Sequence, residues 1–362
     1  MVLILAEEDL KKIDSVLQDI FKEETDVKPQ DYFMLASETY DTFNEEAYNR
    51  GKGYGCPEFP IFDKKIEGLL PGLYFFAARS NTGKTAFMTN LMWNYCKNPE
   101  NHLFGVYYSL DDSCNDVIPR LMSMLQQIPI SVCSKPKRYL EELNRLRQQE
   151  PESPEIEEYE TYLEKRDIAL CQLKEMHEHF YIVDQDTIQN FEQLIQHAKQ
   201  VQAYVKSKDP QNDIMICIDA VSDLQYGKKK FSSSDEKYRQ ISMDLRALSN
   251  ELNIVIFGSC HLKKRNDTKR PILDDLKDTG RFQYDASAVF MLYNDVSENK
   301  QNASIFYGES PDVQPIIEVD WAKNKKSSFK GRSYYYFVPD FSLIQECSPE
   351  DMKRYDALLY SN

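Results

Sequence analysis

Ala78-Arg79-Ser80-Asn81-Thr82-Gly83-Lys84-Thr85 follows directly on the apolar run Leu73-Tyr74-Phe75-Phe76-Ala77. This is a phosphate-binding loop of the form A-x-x-x-x-G-K-T, with Ala78 where the usual pattern has Gly. The apolar run reads as a buried strand entering the loop. Thr85-Ala86-Phe87-Met88-Thr89-Asn90-Leu91 reads as the helix leaving it. The stretch Ala78, Arg79, Ser80, Asn81, Thr82, Gly83, Lys84, Thr85 and Ala86 is therefore expected to cradle a nucleoside triphosphate. Backbone N–H groups and the helix N-terminus would face the β-phosphate, Lys84 would reach the β/γ oxygens, and the Thr85 hydroxyl would ligate Mg²⁺. ATP, or another NTP, with Mg²⁺ is the expected ligand pair.

Further strand ends supply candidate partners. Ile214-Met215-Ile216-Cys217-Ile218-Asp219 is an apolar strand closing on an acid, which can orient the metal held by Thr85. Tyr107-Tyr108-Ser109-Leu110-Asp111-Asp112-Ser113 places carboxylates at another strand end, where Asp111 could deprotonate an attacking water and Ser113 could cap the next helix. Ile256-Phe257-Gly258-Ser259-Cys260-His261 ends a third strand, and His261 there could sense the γ-phosphate.

Around these ends the chain alternates between strands and helices. Strands are expected at 73–78, 104–110, 180–184, 214–219, 254–259, 288–293, 316–321 and 334–338, and helices at 85–96, 113–127, 188–206 and 236–252. The earlier strands are continuous apolar runs, as in parallel strands buried on both faces, so the fold expected is a doubly wound α/β sheet. Residues 141–179 interrupt the rhythm. They are polar and acidic, broken by Pro151 and Pro154, and read as a solvated helical hairpin. Residues 1–55 read as an arm or linker whose amphipathic helix, 7–23, carries Leu10, Ile13, Leu17, Ile20 and Phe21 on one face. Residues 56–346 form the main domain and 347–362 a tail helix.

Composition narrows the setting. The chain has 362 residues, 41% hydrophobic and 12% aromatic, which are globular values. Its eight cysteines are scattered with no C-x-x-C pair, which argues against zinc ribbons and disulfide frameworks. No apolar run approaches 18 residues and the N-terminus lacks a basic start, so a cytoplasmic protein without a membrane partner is expected. The net charge of −15, from 44 Lys and Arg against 59 Asp and Glu, taken alone argues against nucleic acid. Its distribution is uneven, however. Lys228-Lys229-Lys230, then Lys263-Lys264-Arg265 with Lys269-Arg270, and finally Lys323, Lys325, Lys326, Lys330 and Arg332 are basic clusters. The first two follow strands 214–219 and 254–259 directly and could line a channel for a phosphate backbone.

These segments, in this order, resemble the DnaB-like replicative helicases, hexameric motors with a RecA-like core. The similarity runs over roughly 56–346: Gly68-Leu69-Leu70-Pro71-Gly72, the phosphate loop with Ala78, Ser109 to Ser113, Ser242 to His261, Arg270 to Gly280, and Ala322-Lys323-Asn324-Lys325-Lys326. The resemblance implies that Asp111 stands for the family's catalytic glutamate, one methylene shorter, and His261 for its γ-phosphate-sensing glutamine. It implies that Lys323 and Lys325 serve the neighbouring subunit's nucleotide, with Lys325 in place of an arginine finger. Arg270 to Gly280, including Lys277 and Gly280, falls on a DNA-facing loop. The implied partners are single-stranded DNA, further copies of the chain in a hexameric ring, and a primase or helicase loader. The arm helix resembles the family's linker helix, and the family's globular N-terminal domain has no counterpart here, a short form that suggests a bacteriophage. The implied activity is NTP-driven unwinding at a replication fork. A DNA-stimulated ATPase without unwinding, serving recombination, loading or remodelling, and a nucleotide-gated scaffold with little hydrolysis are the rival expectations.

Overall fold

The computed structural model describes residues 29–49, 53–263, 268–276, 281–309 and 312–360. The chain divides into two units, Met1–Gly51 and Lys52–Asn362. In the first, a helix occupies Pro29–Asn49, within the stretch 1–55 read from the sequence as an arm or linker with its helix at 7–23. The helix expected at 7–23 lies outside the described residues.

The second unit is built on one sheet. Its strands are β1 (Gly72–Ala78), β2 (Leu103–Ser109), β3 (Phe180–Asp184), β4 (Asp213–Asp219), β5 (Val255–His261), β6 (Ala288–Asn294), β7 (Phe306–Tyr307), β8 (Gln314–Asn324), β9 (Arg332–Val338) and β10 (Leu343–Glu346). They lie in the order β10-β9-β8-β6-β1-β5-β4-β2-β3, with the short β7 on β8. The six strands β6-β1-β5-β4-β2-β3 are parallel. β8, β9 and β10 extend the sheet antiparallel. The expected mostly parallel, doubly wound sheet is present, and the fold is RecA-like α/β.

Alternation along β1 explains the two layers. Tyr74, Phe76 and Ala78 point into a core under the helix Lys84–Lys97, while Leu73, Phe75 and Ala77 point into a second core under Ser234–Leu252. Phe76 meets Phe257 and Phe290 with ring centroids 4.9 Å from each, and Phe75 meets Phe282 at 4.8 Å on the other face. Truncating either fully buried phenylalanine to alanine would cost about 3–5 kcal/mol.

Element ends follow local chemistry. The helix expected from 188 starts at Phe191, because the Asn190 side chain accepts from the Gln193 N–H at 2.9 Å. The acidic interruption forms two helices, Pro136–Gln149 and Glu155–Glu175, joined by an Arg147–Glu160 ion pair at 2.5 Å. A small cluster of Met122, Ile128, Val132, Cys133 and Ala169 seats them on the helix Cys114–Gln126. The tail helix runs Pro349–Tyr360 and stacks Tyr355 against Tyr334. No helix among the described residues is long and apolar enough to cross a membrane.

Candidate active site

The edge of the sheet where the parallel strands end carries the phosphate loop. Ala78 is the last residue of β1, fully buried and paired in register with His261. It keeps strand geometry, so the loop demands no glycine there. Gly83 is the position that does, with φ at 102° immediately before the helix. A Cβ on Gly83 would also stand 3.0 Å from Ile317 Cδ1. Thr82 anchors the loop by donating to the Arg79 carbonyl at 2.9 Å, and the Arg79 guanidinium is held aside by Glu298 at 2.6 Å. Ser80 and Asn81 are exposed at the loop's tip, and Lys84, only 9% exposed, opens the helix with Thr85 and Ala86 behind it.

Asp219, at the end of β4, gathers three hydroxyls. Thr85 Oγ1 donates to its Oδ2 at 2.7 Å, Tyr107 OH donates to the same oxygen at 2.8 Å, and Ser259 Oγ donates to Oδ1. Tyr107 is wholly buried, and burial followed by the Asp219 charge pushes its phenol far above the ordinary range, so it stays a donor. The all-oxygen pair of Thr85 hydroxyl and Asp219 carboxylate fits a hard divalent cation such as Mg²⁺. The sequence indicated Thr85 and Asp219 but not Tyr107, whose role depends on β2 lying beside β4.

A second group stands beside the first. Asp111, Asp223 and His261 each bring a ligand-type atom within 4.8 Å of the other two. Asp112, by contrast, is committed to Arg120 through an ion pair of 2.5 Å. Of the two neighbouring carboxylates it is thus Asp111 that faces the histidine. Ser113 occupies the N-cap position of the following helix, but its hydroxyl donates to Asp116 at 2.6 Å rather than capping the backbone. Asp223 was not anticipated; the signal available was an acid four residues beyond Asp219, past the end of the same strand. Burial first, then the Asp111 charge, raises the Asp223 carboxyl above its ordinary range. Burial and Lys84 lower His261, so its imidazole is neutral at neutral pH and offers one donor and one acceptor rather than a charge.

The sheet separates Lys323 and Lys325 from all of this. Ala288 of β6 lies beside Tyr74 of β1 and opposite Asn324 of the antiparallel β8. Lys323, Asn324 and Lys325 therefore sit where the parallel strands begin. From the level of Tyr74 to Ala78 is four strand residues, about 13 Å, so neither lysine reaches its own chain's phosphate loop. Lys323 Nζ donates to the Gln283 and Tyr284 carbonyls, and Lys325 Nζ to Tyr284 O at 3.0 Å.

Loops at the strand-end edge carry the other basic residues. Lys228, Lys229 and Lys230 are exposed, and the Lys229 ammonium lies 5.8 Å from the Tyr226 ring centroid and 5.6 Å from that of Phe231. Lys263 Nζ donates to the Asp274 carbonyl at 3.1 Å, and Lys269 is exposed. Arg270, expected among the DNA-contacting residues, has a partner within the chain. Its Nε and Nη2 form a two-pronged pair with the buried Glu318 at 2.6 and 2.7 Å, and its guanidinium packs over Tyr293. An isolated buried carboxylate is costly, so Arg270 is committed to neutralising Glu318. Lys264, Arg265, Lys277 and Gly280 lie outside the described residues.

Comparison with known proteins bears on this geometry. A family model described as the DnaB-like helicase C-terminal domain matches residues 57–341. The replicative DNA helicase DnaB of Rickettsia bellii is 25% identical over 305 residues, covering 80% of this chain and 55% of that protein. DnaB of Geobacillus stearothermophilus is 24% identical over 295 residues, covering 80% and 56%. The chain thus spans about half the length of the curated relatives it matches. Among solved structures, an ATPase domain superposes with a TM-score of 0.66 at 23% identity, covering 86% of this chain and 98% of that one. A DnaB-like replicative helicase, solved in a study of its interactions with primase, gives 0.66 at 22% identity, covering 93% and 76%.

Proposed function

The chain belongs to the DnaB-like helicase C-terminal domain family, and on that premise we propose that it is an ATP-dependent, Mg²⁺-requiring ring motor that moves along single-stranded DNA and unwinds duplex at a replication fork. The observation that carries the proposal is the division of labour across the sheet. One edge holds Lys84, Thr85 and Asp219 with Asp111 and His261, and the other holds Lys323 and Lys325. A nucleotide between two copies, set on the loop of one and facing the lysines of the next, would meet all of them.

In this reading Lys84 and the loop N–H groups of Ala78 to Ala86 bind the β- and γ-phosphates; Thr85 and Asp219 would hold Mg²⁺, which when bound would supply positive charge against the phosphate oxygens. Asp111 accepts a proton from water as its oxygen bonds to the γ-phosphorus and the bond to the bridging oxygen breaks. Neutral His261 hydrogen-bonds at the γ-phosphate. Lys323 and Lys325 stabilise charge on the neighbour's phosphates. Lys228, Lys229 and Lys230 track a DNA backbone, and the Tyr226–Phe231 ring pair, with centroids 5.0 Å apart, offers bases a stacking platform beside them. Lys263, Lys264, Arg265, Lys269, Lys277 and Gly280 extend the DNA-facing set. A primase or helicase loader is the further partner proposed.

The test is steady-state NTP hydrolysis with and without single-stranded DNA, alongside strand separation of a forked duplex and the mass of the assembly. DNA-stimulated hydrolysis with strand separation by a ring is expected. Stimulated hydrolysis without separation would select a loading or remodelling ATPase, the reading favoured by the departures at Asp111, His261 and Lys325. Nucleotide binding without turnover would select a gated scaffold.

A further inference from the structure

Where β1 begins, one cavity gathers three cations, Arg246, Lys325 and Lys326, around a single carboxylate, Asp285. The cavity, of about 230 Å³, is also lined by Gly72 and Asn250, among others. Arg246 and Arg281 pair with the buried carboxylate of Asp285, Lys323 feels its charge, and Lys325 and Lys326 line the same cavity. In a chain of net charge −15 such a concentration is not a sampling of the average surface. Lys323 beside the cavity has its ammonium lowered to about 8, by burial first and then by Lys325. Side chains of one charge held together in this way bind an anion favourably, because the anion relieves repulsion already built into the fold.

Arg246 has the spare capacity within this group. It projects from the helix Ser234–Leu252, and its ion pair among the described residues is a long one, Nη1 to Asp285 Oδ1 at 3.3 Å. Asp285 is meanwhile satisfied by Arg281 Nε at 2.9 Å and Ser242 Oγ at 2.8 Å. The Arg246 side chain is 53% exposed, and a guanidinium carries five N–H donors, so most of its fork is available to a ligand. Lys325, beside it at the cavity, offers a point charge and no fork.

We infer that Arg246 is a catalytic residue for the neighbouring copy's nucleotide, supplying to its terminal phosphate the planar guanidinium that Lys325 cannot. The inference rests on the ring reading above. Lys325 and Lys323 bring charge and Arg246 brings two-pronged geometry, so the arginine function is carried by a different helix rather than lost.

The test uses the full chain carrying Arg246→Ala, Arg246→Gln or Arg246→Lys, with Lys325→Ala as the reference for trans action. Assembly mass, nucleotide affinity and DNA-stimulated hydrolysis are measured for each. Arg246→Ala should assemble and bind nucleotide as wild type yet lose about 10²–10³-fold in kcat, the loss typical of one charge-stabilising donor. Arg246→Lys should recover little of it, because charge without the fork is already present in Lys325. Mixing Arg246→Ala with Lys84→Ala should restore activity at interfaces pairing an intact loop with an intact Arg246. Wild-type turnover by Arg246→Ala would overturn the inference. So would full recovery in Arg246→Gln, which keeps a donor for Asp285 and would reduce Arg246 to an anchor. Should Arg246→Ala fail to assemble, the Gln and Lys variants decide by the same criteria. If Lys325→Ala is also indifferent, or the wild type forms no ring, it is the ring reading itself that fails.

Discussion

Where the parallel strands end, the sheet presents Asp111, Asp219, Asp223 and His261 around Lys84; where they begin, it presents Arg246, Arg281, Lys323 and Lys325 around Asp285. The first edge is built to hold a metal and handle a proton, since its groups are carboxylates and a neutral imidazole. The second is built to meet negative charge. In the proposed function the nucleotide meets both, and about 13 Å of strand keeps them apart within one chain. On the proposed reading each copy would carry two half-sites, and it is this difference between the edges that the proposed assembly rests on.

The largest expected effect falls on the acidic edge. Lys84→Ala removes the buried cation of the phosphate loop and should abolish hydrolysis; retention of more than about 10% of the rate would sink the assignment of the loop. Next, Asp111→Asn should slow turnover by about 10²–10⁴-fold with little change in nucleotide affinity, as expected for a group acting on the attacking water. Asp112→Asn should be mild, because it loses only the pair with Arg120. Single-turnover and binding measurements on both variants distinguish them, and a reversal of the two effects would move the catalytic carboxylate by one residue.

The basic edge should respond to pH. Lys323, facing Lys325, Arg246 and Asp285, binds its proton less tightly folded, at about 8, than unfolded, at 10.5. Its charge therefore penalises the folded state below pH 8, and the penalty fades as pH rises toward 10.5. A bound phosphate would hold the proton more firmly, so hydrolysis should show an alkaline limb at or above about pH 8. Lys323→Arg should remove that limb while leaving the neutral rate within a few-fold. A limb unchanged in the arginine variant would place the titrating group elsewhere. The smallest effect concerns DNA. Affinity should fall with salt at about −0.7 per phosphate neutralised, and charge reversal at Lys228, Lys229 and Lys230 should flatten that slope. A wild-type slope near zero would leave the overall acidity as the better guide.

How legible this was depended on the range of the signal. β1, the loop and the Asp219 strand were readable because apolar runs and a glycine-lysine turn are local patterns. The helix Pro60–Ile66 was not, since the first-turn N–H groups of Ile61 and Phe62, which have no acceptor within the helix, are satisfied at 2.8 and 2.6 Å by Glu346, on β10 far along the chain. β7 and β10, two and four residues long, are too short to show any period. In the site the same rule holds. Thr85 and Asp219 carry motif spacing, whereas Asp223, Tyr107 and Arg246 matter only because the sheet order brings their elements beside the others. Arg270 shows the converse: a basic residue in a basic cluster looks free in the sequence until its buried partner, Glu318, is seen.

The central claim is that each nucleotide is served by both edges, one from each of two copies. It is tested most directly by mixing Lys84→Ala with Lys325→Ala, each assembled and inactive alone, over a range of ratios. Activity should reappear in mixed rings and peak at intermediate ratios, because some interfaces then pair an intact Lys84 loop with an intact Lys325. No recovery at any ratio, with mixed assembly confirmed by mass, would contradict it and return Lys323 and Lys325 to DNA binding or solvated surface.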